Sequence, residues 1–168
     1  MTQPACGHWP SPISAEMLTA QGVRLSDPQA QGETLYWLEN RPQEKGRCVL
    51  VCEQDGERQD LLPAPLSIRT RIQEYGGTPY LATRDTVFYV LDSDQRIYAY
   101  DTTTQTSRPL TPEGAYRYAD FCYDQLRQCL LAVREDCALN PQHPKSEIIA
   151  LDLGSGDIKV LAQGADFY

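Results

Sequence analysis

The densest gathering of groups able to hold a polar ligand is Arg69-Thr70-Arg71-Ile72-Gln73-Glu74-Tyr75-Gly76-Gly77. A carboxylate such as Glu74 can take a primary ammonium through a charge-assisted hydrogen bond, and Tyr75 adds a ring and a hydroxyl beside it. The planar fork of Arg71, or of Arg69, suits a carboxylate bound bidentately. The competing reading pairs Glu74 with Arg71 across a turn and leaves the two glycines to shape a junction. A second candidate is Arg134-Glu135-Asp136, which follows an apolar run. Arg134 and Glu135 are its binding candidates. The alternative there is a solvated turn or exposed ion pairs, each contributing less than about 1 kcal/mol.

Other chemistries lack their residues. The string G-x-S-x-G, which exposes a serine nucleophile on a strained turn, does not occur; Gly154-Ser155-Gly156 is the nearest and reads as a hairpin turn. A Ser-His-acid triad needs a histidine held by a carboxylate. His8 stands in a Pro-rich stretch and His143 in Asn140-Pro141-Gln142-His143-Pro144, both read as surface positions. The expectation is no turnover from this chain alone. Gly76-Gly77 has no following Lys-Ser/Thr for a phosphate loop. Asp92-Ser93-Asp94 continues into Arg96 and Ile97 where a calcium loop wants a ligand and a glycine. No cofactor is expected. The six cysteines, Cys6, Cys48, Cys52, Cys122, Cys129 and Cys137, contain no C-x-x-C pair. They read as small apolar or surface thiols, with neither a disulfide framework nor zinc.

Charge narrows the partners further. Fifteen basic against 23 acidic residues leave a net charge of −8, and no basic stripe of the kind nucleic acid requires is present. No apolar run approaches the 18 or so residues of a membrane helix, and the first residues show neither a basic n-region nor an apolar h-region. The expectation is a cytoplasmic protein that binds neither nucleic acid nor membrane.

These candidates must be positioned by short strands, because one repeated order dominates the sequence. Leu35-Tyr36-Trp37-Leu38 and Cys48-Val49-Leu50-Val51-Cys52 are apolar runs followed by a polar strand that closes on Leu61-Leu62-Pro63. The order returns from Val87-Phe88-Tyr89-Val90-Leu91 through Arg96–Asp101 to Leu110-Thr111-Pro112. It comes a third time from Cys129-Leu130-Leu131-Ala132-Val133 through Ile148–Asp152 to Ile158-Lys159-Val160-Leu161. A strand-only period of roughly 45–50 residues is the spacing of propeller blades. Neighbouring blades would cover the inner strands on both faces, which accounts for apolar runs without alternation. The first strand of each blade is expected near 23–30, 77–83 and 117–124. The fold class is therefore all-β: an incomplete β-propeller of about three four-stranded blades, spanning 23–168, behind a short helical leader over 1–22. In the leader, Ser14 is the N-cap, Glu16 lies in the first turn and Gly22 is the terminator. Trp9 and Trp37 are expected as core anchors. Gly164-Ala165-Asp166-Phe167-Tyr168 reads as the start of a fourth blade. An unrelated sandwich or barrel is the alternative.

Several motifs, in one order, carry a resemblance. They are Gly7-His8-Trp9-Pro10-Ser11-Pro12-Ile13; Trp37-Leu38-Glu39-Asn40-Arg41-Pro42 with Gly46-Arg47; Arg69 to Gly77; Asp94-Gln95-Arg96-Ile97-Tyr98; Tyr118-Ala119-Asp120; Val133-Arg134-Glu135-Asp136; and Gly164 to Tyr168. Together they resemble the N-terminal propeller of prolyl-oligopeptidase-type serine peptidases, in the dipeptidyl aminopeptidase and acylaminoacyl peptidase branch. Gln73 departs from that pattern, which has His before Glu-Tyr-Gly-Gly. The resemblance implies a C-terminal α/β-hydrolase partner domain that carries the triad, a propeller that gates access of short peptides, and substrate-amine recognition by Glu74. A non-catalytic module that self-associates through exposed blade faces, or an inactive truncated remnant, are the alternatives.

Overall fold

The computed structural model describes Ile13, Ser14, Met17 and residues 22–168. Twelve strands are present among the described residues: β1 (Arg24–Gln31), β2 (Thr34–Arg41), β3 (Arg47–Gln54), β4 (Glu57–Asp60), β5 (Tyr80–Ala82), β6 (Thr86–Val90), β7 (Ile97–Asp101), β8 (Thr106–Pro109), β9 (Tyr116–Asp124), β10 (Cys129–Asp136), β11 (Lys145–Asp152) and β12 (Ile158–Gln163). They form three four-stranded antiparallel sheets in sequence order, β1–β4, β5–β8 and β9–β12. These are three blades of a propeller. The three first strands lie beside one another, β1 against β5 and β5 against β9.

The apolar runs are explained by which blade each face meets. On β6, Val87 and Tyr89 enter a cluster with Tyr36, Leu38, Leu50 and Cys52 of the first blade. Phe88 and Val90, on the opposite face, pack with Tyr118, Leu130, Ala132 and Ile149 of the third. Successive side chains of one strand serve two interfaces, so a central-blade strand has no face left to be polar. The fourth strands of the first two blades meet no such cover, and β4 and β8 are exposed throughout. Burial of each large core side chain is worth roughly 1.5–3 kcal/mol, so the blade interfaces hold the stack together.

Three details depart from the expected strand pattern or extend it. Asp120 has φ +55° and lies where the β9–β10 register shifts. This extra residue turns both Tyr118 and Phe121 toward the second blade. The segment after Gln163 makes bends rather than a strand. In the leader, Met17 N–H donates to Ser14 Oγ at 3.1 Å, the bond an N-cap serine makes to the third helical residue. Cys6, His8, Trp9, Glu16 and the Gly7–Pro12 part of the opening motif lie outside the described residues. Trp37 is a buried anchor, packed with Val49 and Val51.

Candidate functional site

The 69–77 segment runs from the first blade across the ends of the other two, and it is fastened at several points. Ile72, 1% exposed, packs against Ala119 and Val133 of the third blade. Gln95 clamps the segment from the second blade: its Oε1 accepts the Arg71 N–H at 2.8 Å, and its Nε2 donates to the Arg69 and Asp92 carbonyls at 3.1 Å. Glu135 clamps it from the third, with Oε1 accepting the Gln73 N–H at 3.0 Å. At the far end the Asp120 carboxylate accepts the Thr78 N–H at 2.9 Å.

Between these fastenings the chain makes a tight turn. Glu74 N–H donates to the Arg71 carbonyl at 3.2 Å and Gly76 N–H to the Ile72 carbonyl at 2.8 Å. Gln73 and Glu74 sit at φ +51° and +61°, a left-handed backbone that costs a non-glycine residue about 1–2 kcal/mol. Gly76 continues it at φ +90°. Gly77 is required for a different reason, since a Cβ there would lie 2.8 Å from Asp120 Oδ2 and 3.0 Å from the Ala119 Cβ. The Glu-Tyr-Gly-Gly and Tyr-Ala-Asp motifs are thus two halves of one close contact.

The turn forms one wall of a cleft of about 710 Å³. Glu74 and Tyr75 stand on this wall, and Arg117, Glu135 and Ser146 contribute from β9, β10 and β11. The 142–144 loop, Lys145 at the start of β11 and the 164–167 segment complete it. Three of the five candidates, Glu74, Tyr75 and Glu135, come together here. Tyr75 is 78% exposed. No side chain among the described residues pairs with the Glu74 carboxylate, so the expected alternative, a Glu74–Arg71 pair, does not form.

Arg71 and Arg134 lie outside the cleft, each committed elsewhere. Arg71 turns to Asp92, with Nη2 to Oδ1 at 2.9 Å. Arg134 and Glu135 are consecutive on β10 and therefore point to opposite faces. Arg134 stacks over the Tyr116 ring at 4.8 Å and donates Nε–H to Glu147 Oε2 at 3.0 Å. Burial acts to raise the Glu147 pKa, but the hydrogen bonds from Arg134 and Lys145 outweigh it and hold the carboxyl below its usual range.

Charge in the cleft favours a cation. Arg117 is met by Glu135 Oε2 at 3.3 Å, and Lys145 by Glu147 Oε1 at 2.9 Å. Glu74 and Asp166 have no such partner among the described residues. His143, expected at the surface, is exposed and borders the cleft. Gln73, in place of the pattern's histidine, directs its Nε2 toward the Tyr168 carbonyl at 3.5 Å. Reading the sequence missed Gln95, Arg117 and Ser146. Gln95 is a turn residue whose bonds reach the 69–71 backbone, and Arg117 is a strand residue paired with Glu135 on the neighbouring strand.

No family model matches the chain, and no curated protein sequence matches it. Solved structures do. A puromycin-hydrolyzing peptidase of Mycobacterium tuberculosis is 35% identical with a TM-score of 0.84; the match covers 96% of this chain and 28% of that one. A puromycin hydrolase is 29% identical with a TM-score of 0.82, over 98% of this chain and 28% of that one. The chain belongs to the N-terminal propeller part of prolyl-oligopeptidase-type serine peptidases. It spans a little over a quarter of those two peptidases. The acylaminoacyl peptidase of Pyrococcus horikoshii, 16% identical with a TM-score of 0.59 over 88% of this chain and 25% of that one, shares the fold. Within this family assignment the motif residues have structural roles. Glu39 of the Trp-x-Glu-x-Arg-Pro motif is buried and bonded to Trp37 Nε1 at 3.0 Å and Arg41 Nε at 2.9 Å. Arg41 in turn grips Asp60 with two bonds of 2.7 Å.

Proposed function

We propose that this chain is the gating propeller of a serine peptidase, and that Glu74 holds the α-ammonium of a short peptide or aminoacyl amide during hydrolysis. The nucleophile, histidine base and acid partner would belong to an α/β-hydrolase domain C-terminal to it. The observation that carries the reading is the uncompensated Glu74 carboxylate, presented on a clamped turn in a cleft whose arginine and lysine are already paired. Puromycin, named for the two similar peptidases, is an aminoacyl amide with a free α-amine, so a cation-selecting cleft suits that substrate class. A clamped turn also loses little entropy when it binds, which favours recognition by few groups.

The test is steady-state kinetics of the full-length protein with Glu74→Ala. A charge-assisted hydrogen bond is worth roughly 1.5–3 kcal/mol, so KM for a free-amine aminoacyl amide should rise about 10- to 150-fold. KM for the N-acetylated counterpart should stay within about twofold. Equal effects on both substrates would remove Glu74 from amine recognition. For the domain partner, the mass of the native protein decides: a species well above 18.9 kDa supports it, and a native species at that mass removes peptidase activity from the account.

A further inference from the structure

Ser146 is 3% exposed, lines the cleft, and its Oγ has no hydrogen-bonding partner among the described residues. A buried hydroxyl left unpaired is destabilising, and such groups in native structures call for a specific explanation. Its position supplies one. Ser146 lies directly opposite Glu135 in the β10–β11 ladder, so both side chains rise from the same face of the sheet. That is the face which, with Glu74 on the adjoining wall, borders the cleft.

All three groups present acceptors to the cleft. Glu135 accepts one bond at each oxygen, from the Gln73 N–H and from Arg117, and an ionised carboxylate has about four lone-pair sites. Glu74 is an acceptor only, and a serine hydroxyl carries two acceptor lone pairs. A primary ammonium is the complement, with three N–H donors and no acceptor. The neighbouring ammonium of Lys145 does not fill this role, being bound to Glu147 and the Gln163 amide oxygen. Nor is Ser146 poised as a nucleophile: His143 borders the same cleft but forms no hydrogen bond to it, and an unactivated hydroxyl is a weak nucleophile.

We infer that Ser146 is a specificity-determining residue, accepting an N–H of the substrate ammonium beside Glu74 and Glu135 and so selecting primary amines over N-methylated ones. This rests on the amine-binding role of the cleft. N-methylation keeps the positive charge that Glu74 answers but removes one N–H, so it isolates the Ser146 contact.

The experiment compares an aminoacyl p-nitroanilide with its N-methyl and N-acetyl counterparts in the full-length protein, as wild type, Ser146→Ala, Ser146→Thr and Glu74→Ala. In the wild type the N-methyl substrate should show a KM about tenfold above the primary amine. Ser146→Ala should raise KM for the primary amine about tenfold with kcat unchanged, the mark of lost binding common to ground and transition states. It should also bring the N-methyl penalty to within about twofold. Ser146→Thr, which keeps the hydroxyl, should keep the penalty. An N-methyl penalty in Ser146→Ala equal to that of wild type overturns the inference, even where Glu74→Ala confirms amine binding. Failure of Glu74→Ala to separate free from acetylated amines would overturn the amine reading itself.

Discussion

Glu135→Ala should release the 72–76 turn. Glu135 is 4% exposed, and its two oxygens engage the Gln73 N–H at 3.0 Å and Arg117 at 3.3 Å. Only the first of these bonds holds the turn. A hydrogen bond to an ionised group contributes roughly 1.5–3 kcal/mol. The turn is under strain in the opposite sense, with Gln73 and Glu74 at φ +51° and +61°, so a lost fastening is not recovered by relaxation in place. Opening should therefore become easier by about 1.5–3 kcal/mol, or roughly 10- to 150-fold. The assay is amide hydrogen exchange of the full-length protein, read at the Gly76 N–H, which bonds to the Ile72 carbonyl and does not touch Glu135. Glu135→Gln, which keeps a neutral acceptor for Gln73, should accelerate exchange by less than about tenfold. Exchange at Gly76 within about twofold of wild type in Glu135→Ala would refute the claim that this carboxylate holds the turn.

Gly77→Ala should disturb the same region by another route. Its Cβ must displace the Asp120 carboxylate from 2.8 Å, so KM for free-amine substrates should rise severalfold, and unchanged kinetics would show that the contact yields freely. Arg134→Ala leaves the buried Glu147 with Lys145 as its remaining cation and should destabilise the protein by about 2–4 kcal/mol in urea unfolding. It should leave the ratio of free- to acetylated-amine KM unchanged, because Arg134 faces away from the cleft. The carboxyls of Asp60, Glu39 and Glu147 should make stability fall in acid. Arg41 lowers Asp60 most; at Glu39 and Glu147, bonds from Trp37, Arg41 and Arg58 and from Arg134 and Lys145 prevail over burial. Depressed folded values mean that this stabilisation is complete above the ordinary values of 3.8 and 4.5 and is lost as pH falls through the lower folded ones. A Tm unchanged between pH 6 and pH 3 would contradict it. Burial pushes the Cys48 thiol up to about 11, so iodoacetamide near pH 8 should label exposed Cys122 well before Cys48, as read by peptide mass spectrometry.

The blade architecture was legible because its cause is local. A strand covered on both faces must be apolar at consecutive positions, and Val87 to Val90 meet two different blades. The direction of single side chains was less legible. Arg134 and Glu135 stand together in the sequence, yet the two-residue period of a strand sends one to Glu147 and the other to the cleft. The spacing of Arg71 and Glu74 suits a pair across a turn, but with Gln73 and Glu74 in a left-handed backbone Glu74 stays unpaired among the described residues while Arg71 meets Asp92. Ser146 gave no signal of its own. It becomes visible only through the β10–β11 register, which places it opposite Glu135. Gln95 is a similar case, a polar turn residue whose three bonds reach across to the 69–71 backbone or to its own turn. Of the last motif, Gly164 to Phe167 line the cleft.

The most direct measurement is a crystal structure of the full-length protein with a non-hydrolysable aminoacyl amide bound. The amine-recognition account predicts the ligand's ammonium nitrogen in the cleft, within about 3.2 Å of Glu74 and of Ser146 Oγ, the ordinary hydrogen-bond range. An ammonium held by other residues, with the Glu74 carboxylate facing solvent, would contradict it.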